Sequence, residues 1–248
     1  MLITNPKGNY SFLKGIAPYS AGTVAQAGYA VEHARLLAPI PWRKGFEWID
    51  AHLKRVGRPR TALAGVELRS PKPFTFGGFN DFNGGYVELL KSWGLFVDGL
   101  NPVARTNVAP EFDPPAEPSL YGFSFTVKAD TKRQTFVVAG GGELPEGSLN
   151  PADVVRQGET SADALREKAR FVMGLMDGRV RELGVTWDLA TSVNVYTVFN
   201  LGDFWERELL AKMGGAKAHG VVWYPTRPPI ETIEFEMDLR GCVREVVL

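Results

Sequence analysis

The chain has 248 residues, 28 Lys+Arg against 28 Asp+Glu and 44% hydrophobic residues, an ordinary globular composition with no net charge. That balance excludes the basic excess of a nucleic-acid-binding surface, and no apolar run approaches the ~20 residues a membrane-spanning helix needs. A single cysteine, Cys242, excludes an intramolecular disulfide and a cysteine zinc site, and the three histidines, His33, His52 and His219, lack metal-ligand spacing. The N-terminal residues carry no signal-peptide pattern, so the expected location is the cytoplasm.

In chain order, residues 29–36 read as a strand and 45–56 as a helix stopped by Gly57. Residues 61–69 read as a strand, 80–93 as a second helix, and 103–109 and 120–127 as two further strands. The polar join 128–134 follows. Residues 135–139 then form a short strand running into Gly140, Gly141 and Gly142. Ser161 is placed as an N-cap. Leu165, Ala169, Val172, Met176, Val180 and Leu183 recur at helical spacing behind it, with Arg166, Glu167, Arg170, Asp177 and Arg179 on the opposite face. Gly184 ends this helix. A β-branched run at 190–199 is a strand, a helix opens at Gly202-Asp-Phe-Trp205 and reaches about Met213, and residues 220–224 and 232–238 are strands. In the last of these Ile233, Phe235 and Met237 alternate with Glu234, Glu236 and Asp238, which predicts one buried and one outward face. Both halves therefore read strand, helix, strand, helix, strand, strand. The fold class is α+β with an internal duplication of roughly 125–130 residues, and the expected domains are 1–128 and 133–248.

The glycines at 140–142 suggest a phosphate-binding loop, but no Gly-Lys-Ser/Thr and no periodic helix follow them. Cys242 has no histidine positioned beside it by the sequence, so it is not read as a nucleophile.

Several segments together resemble the RidA (YjgF-like) reactive-intermediate deaminase family. They are Ala17-Pro-Tyr-Ser20, Asp81-Phe-Asn83 with Tyr86, Asn101-Pro-Val-Ala-Arg-Thr106, the helix–strand unit from Leu165 through Gly184 to Val198, Asp203-Phe204, and Ile233-Glu-Phe-Glu236. The resemblance implies a chorismate-mutase-like mixed sheet with helices on one face, present twice. It also implies a homo-oligomer, a trimer with sites between subunits, and hydrolysis of an enamine or imine carboxylate to a ketone and ammonia without metal or cofactor. The long two-domain form further resembles deaminases of aminoaromatic ring-cleavage pathways, which convert 2-aminomuconates to 2-hydroxymuconates.

On that resemblance Arg105 matches the arginine that grips the substrate carboxylate, a task suited to a planar guanidinium with two parallel donors. The family's glutamate falls on Glu234, fifteen positions after His219, whereas fifteen positions after Arg105 stands Leu120. One half thus keeps the arginine and the other keeps the acid, which points to a composite site with Glu234 and His219 as catalytic groups. Tyr19, Asn83 and His33 are the accompanying substrate-binding candidates. Each residue also has a structural reading: an ion pair for Arg105, turn packing for Tyr19, a helix cap for Asn83, a structural role for His33 and His219. Glu236 and Asp238 share the strand parity of Glu234, so alternation does not choose among the three. A non-catalytic protein that binds small acids on the same scaffold is the alternative reading.

Overall fold

The computed structural model describes residues 2–148, 150–202 and 204–248; Asp203, read above at a helix start, lies outside them. The strands β1 (Leu2–Asn5), β2 (Tyr10–Leu13), β3 (Gly22–Ala25) and β4 (Tyr29–Pro41) lead into helix α1 (Trp42–Arg55). Strand β5 (Leu63–Arg69), helix α2 (Phe76–Ser92), and strands β6 (Ala104–Pro110) and β7 (Ser119–Lys128) follow. Then come β8 (Phe136–Gly142), α3 (Ala162–Glu182), β9 (Ser192–Tyr196) and the short α4 (Phe204–Glu208). Strands β10 (Val222–Tyr224), β11 (Thr226–Arg227), β12 (Glu236–Gly241) and β13 (Arg244–Val247) complete the chain.

Local chemistry sets the helix boundaries. Ser161 caps α3, its hydroxyl accepting from the Ala164 amide, as its position in the sequence predicts. Helix α2 starts earlier than expected because Thr75 accepts from the Gly78 amide and carries the helix through Gly77 and Gly78. Two glycines each disfavour helix by ~1 kcal/mol relative to alanine, which hides this turn from a propensity reading. The helix expected up to Met213 is α-helical only over Phe204–Glu208. Beyond it the chain tightens into 3-10 turns at Leu210–Lys212 and Gly214–His219.

The strands form two sheets, one ordered β11-β6-β5-β7-β4-β13 and the other β1-β2-β3-β8-β12-β9-β10. Their four-stranded cores have the same plan. β4–β7 and β5–β7 are antiparallel and β5–β6 parallel; β8–β12 and β9–β12 are antiparallel and β9–β10 parallel. The sheets do not divide the chain at 128–133, however. β3 pairs with β8 through Gly22↔Val138, bringing the N-terminal strands into the sheet of the second half. In return, β11 pairs with β6 and β13 with β4.

Each sheet buries one face under helices. Trp42, Phe46, Ile49 and Leu53 of α1, with Tyr86 and Leu90 of α2, pack on Leu63, Val66, Phe123 and Phe125. Leu165, Ala169, Val172 and Met176 of α3 pack on Phe136, Val138, Met237 and Leu239. The other two faces turn towards each other and carry polar side chains. This corrects the outward face expected for Glu236 and Asp238. One face of β12 lies under α3 and the other meets the first sheet, where Thr106 contacts Asp238, so neither face meets solvent and both residues are only 4% exposed. Asp238 is held there by the Thr106 hydroxyl at 2.6 Å, the Asn194 amide at 2.7 Å and the Tyr196 hydroxyl at 2.9 Å. Those three donors stabilise the ionised form, yet burial and the nearby Glu67 carboxylate push its pKa up to about 6.

Candidate active site

A cavity of about 70 Å³, against the ~10–15 Å³ one water needs, lies where the two sheets meet α2 and α3. The first sheet contributes Arg105 and Asn107, the second Glu236 and the backbone of 140–142, α3 contributes Arg179, and Tyr19 and Phe79 form apolar walls.

Arg105 leaves β6 into an aromatic cage. Its guanidinium carbon lies 4.8 Å from the Tyr86 ring centre, 5.0 Å from Tyr19, 5.5 Å from Phe79 and 5.8 Å from Phe82. Asn83, one turn before Tyr86 on α2, accepts from Nη2 at 2.8 Å and fixes the plane of the fork. Nη1 is buried without a hydrogen-bond partner. Asn107, two residues along the same strand, accepts from the Ser70 hydroxyl at 2.9 Å, and its own Nδ2 is also buried and unpartnered. An unmet buried donor costs ~1–3 kcal/mol. Two such donors on one cavity wall mark a place where an acceptor belongs.

Glu236 supplies the acid. Burial, reinforced by the Asp238 and Glu143 carboxylates, pushes its pKa well above the usual value, against the opposing pull of Arg179 and Arg105. Burial thus favours its protonated form, in a site lined by two guanidinium groups. Close approach of β8 makes room for it, since a Cβ at Gly140 would collide with Glu236 Oε1 and Thr106. The glycine run is where a helix and a facing sheet press on one strand end, rather than a phosphate loop: a Cβ at Gly141 would meet Leu175, Met176 and Arg179. The segment entering β12 is tethered by Glu143, which is fully buried, pairs with Lys168 at 2.9 Å and accepts from the amides of Glu234 and Phe235.

The structure thus brings together Arg105, Asn83 and Tyr19 of the sequence candidates. The other three lie elsewhere. Glu234 precedes β12, is half-buried, and faces Arg227 at 4.0 Å rather than this cavity. His219 is exposed at the end of its 3-10 turn. His33 is buried in a second inter-sheet cavity, its Nδ1 3.0 Å from Ser124 Oγ and its Nε2 3.6 Å from Glu67. Burial and Arg240 hold the His33 pKa well below 6.5, so it is neutral near pH 7 and no proton donor there. No histidine lines the Arg105 cavity. Burial likewise pushes the Cys242 thiol up to about 12, away from nucleophilic use. Among the described residues, no group of three or more His, Cys, Asp or Glu is disposed to hold a metal, and no helix is long and apolar enough to cross a membrane.

Glu236, Asn107 and Arg179 are absent from the sequence candidates. Asn107 shares the strand parity of Arg105, and Glu236 that of Glu234; these were the available signals. Arg179 sits on the helix face assigned to solvent, yet it is 6% exposed because it reaches back to the Ala139 carbonyl at 2.8 Å.

The chain resembles characterised proteins over nearly its whole length. It is 45% identical over 244 residues to 2-amino-5-chloromuconate deaminase of Comamonas testosteroni, a match covering 97% of this chain and 96% of that protein. A crystal structure of chorismatase shares the fold at a TM-score of 0.52 and 10% identity, over 97% of this chain and 79% of that one. The profile of 2-aminomuconate deaminase CnbZ matches residues 2–246, and the chain belongs to that family.

Proposed function

We propose that the Arg105–Glu236 cavity is the active site of a cofactor-independent hydrolytic deaminase acting on 2-aminomuconate-type acids to give the 2-hydroxymuconate and ammonia. One observation carries the assignment of the site. A caged guanidinium and a neighbouring amide, each with an unpaired buried donor, line a cavity that also holds a buried carboxyl. The Arg105 Nη1 and Asn107 Nδ2 donors bind the carboxylate beside the amino-bearing carbon. Glu236 delivers its proton to the enamine carbon, giving an iminium ion. The resulting carboxylate takes a proton from water as the oxygen adds to the iminium carbon. Glu236 returns that proton to nitrogen, ammonia leaves as the oxygen lone pair closes the carbonyl, and the hydroxyl gives its remaining proton back to the Glu236 carboxylate; the enol form of the ketone is the hydroxymuconate. A general acid–base group of this kind contributes on the order of 10²–10⁴-fold. Burial suits it to the task, because a raised pKa keeps the proton available near neutral pH.

The site joins an arginine of the first half to a carboxylate of the second within one chain. The matching strand plans of the two cores support reading the halves as tandem RidA-like units that have exchanged edge strands. On that reading 133–248 expressed alone, lacking β1–β3, does not form a stable sheet. The family resemblance adds a homotrimer, which analytical ultracentrifugation tests. The function itself is tested by ammonia release from 2-aminomuconate with purified protein. Activity that survives Arg105→Ala unchanged would remove this cavity from the reaction.

A further inference from the structure

The cavity holds a second guanidinium that the reaction above leaves unused. Arg179 Nη1 is anchored on the carbonyls of Ala139 and Gly140, at 2.8 and 3.4 Å, which fixes the plane of the group. Its other edge, Nε and Nη2, holds the Glu146 carboxylate in a two-pronged fork at 3.1 and 3.0 Å. The partners differ in setting: the Arg179 side chain is 7% exposed and that of Glu146 44%. A cation held rigidly in the wall is capped by an acid that stands half in water, on the segment after β8. Because Glu146 can be rehydrated by turning out to solvent, another carboxylate of the same geometry can take its place on Arg179.

We infer that Glu146 occupies the subsite for the second carboxylate of the substrate: Arg179 grips the distal carboxylate of an acyclic dicarboxylic acid, and Glu146 turns out to solvent when it binds. The inference rests on the active-site reading above and sharpens its substrate class. With Glu146 in place, Arg105 is the one guanidinium of the pair left unneutralised. With Glu146 displaced, two guanidinium groups face the two carboxylates of a dianion, and those charges balance.

The test uses two unreactive acids, cis,cis-muconate with two carboxylates and sorbate with one, titrated by calorimetry. Wild type is expected to bind muconate roughly tenfold or more tightly than sorbate, the effect of a charge-assisted fork. Glu146→Ala removes the internal competitor, so muconate should tighten severalfold while sorbate is unchanged. Arg179→Lys keeps the charge but loses the fork, and should bring muconate down towards sorbate. If Glu146→Ala leaves the muconate-to-sorbate ratio unchanged, or Arg179→Lys weakens both acids equally, the distal subsite is elsewhere. The broader reading fails differently. Arg105→Lys that binds both acids as wild type does would remove the cavity as the acid-binding site, and failure of both acids to bind wild type would overturn both claims.

Discussion

Two polar cavities open between the facing sheets, and β12 serves both: Glu236 lines the first, and Arg240, four residues on, lines the second, of about 310 Å³. They differ in how their charges are met. In the second, Arg240 is clasped by Glu245 at 3.1 and 3.0 Å and contacts Glu67 at 3.2 Å, so each nitrogen of its guanidinium has a carboxylate partner. In the first, Arg105 has one fixed partner and an open nitrogen, and Glu236 keeps its proton. Size therefore does not identify the reactive site here. A buried charge whose partners are complete is part of the scaffold, and one with donors left over is prepared for a ligand.

The contrast can be broken at several points. The largest expected effect is on the scaffold that carries Glu236. Lys168→Met leaves the Glu143 carboxylate buried without its counter-charge, which should cost about 3–5 kcal/mol of a total stability of ~5–15 kcal/mol, read from chemical denaturation. Arg105→Lys should leave stability intact and lower kcat/KM by about ten- to a hundredfold, the ~1.5–3 kcal/mol of a charge-assisted contact. Arg240→Met in the second cavity should do the reverse, costing on the order of 1–3 kcal/mol of stability with ammonia release retained. If Arg240→Met abolishes turnover at unchanged stability, the two cavities have been assigned the wrong way round.

Between the cavities, Asp238 gives a pH-dependent effect. Its folded-state pKa, pushed up to about 6 from an ordinary 3.8, means that the fold holds the proton more tightly than the unfolded chain. The stability from that proton is fully present below about pH 4 and is lost as pH rises towards 6. Asp238→Asn should flatten the stability profile across that window, measured as Tm against pH. The smallest effect is expected at exposed His219, where replacement by alanine should change turnover less than about twofold.

Much of this was legible in the sequence. Periodicity and the Ser161 cap locate α3, and three separate segments of the family resemblance, Asn101–Thr106, Asp81–Asn83 and Ala17–Ser20, name Arg105, Asn83 and Tyr19. What alternation could not convey was the second sheet. A strand reading Ile-Glu-Phe-Glu-Met-Asp suggests one wet face, but a polar face buried against another polar face carries the same pattern. Alternation does not choose among Glu234, Glu236 and Asp238, and it is the family resemblance that selects Glu234, two residues before the acid that lines the cavity. Arg179 was missed for a related reason, since a helix wheel assigns charges to solvent and does not foresee a long side chain folding back to a strand end. The strand exchange involving β3 and β13 leaves no periodic signal, because it depends on which edges meet in space.

The central claim is that Glu236, not its neighbour of equal parity, moves the protons. Ammonia release from 2-aminomuconate should be measured side by side for Glu236→Gln and Glu234→Gln, at saturating substrate and matched folded protein. We expect Glu236→Gln to lose on the order of 10²–10⁴-fold in kcat with KM little changed, and Glu234→Gln to remain within about twofold of wild type. Full activity in Glu236→Gln together with loss in Glu234→Gln would contradict the assignment.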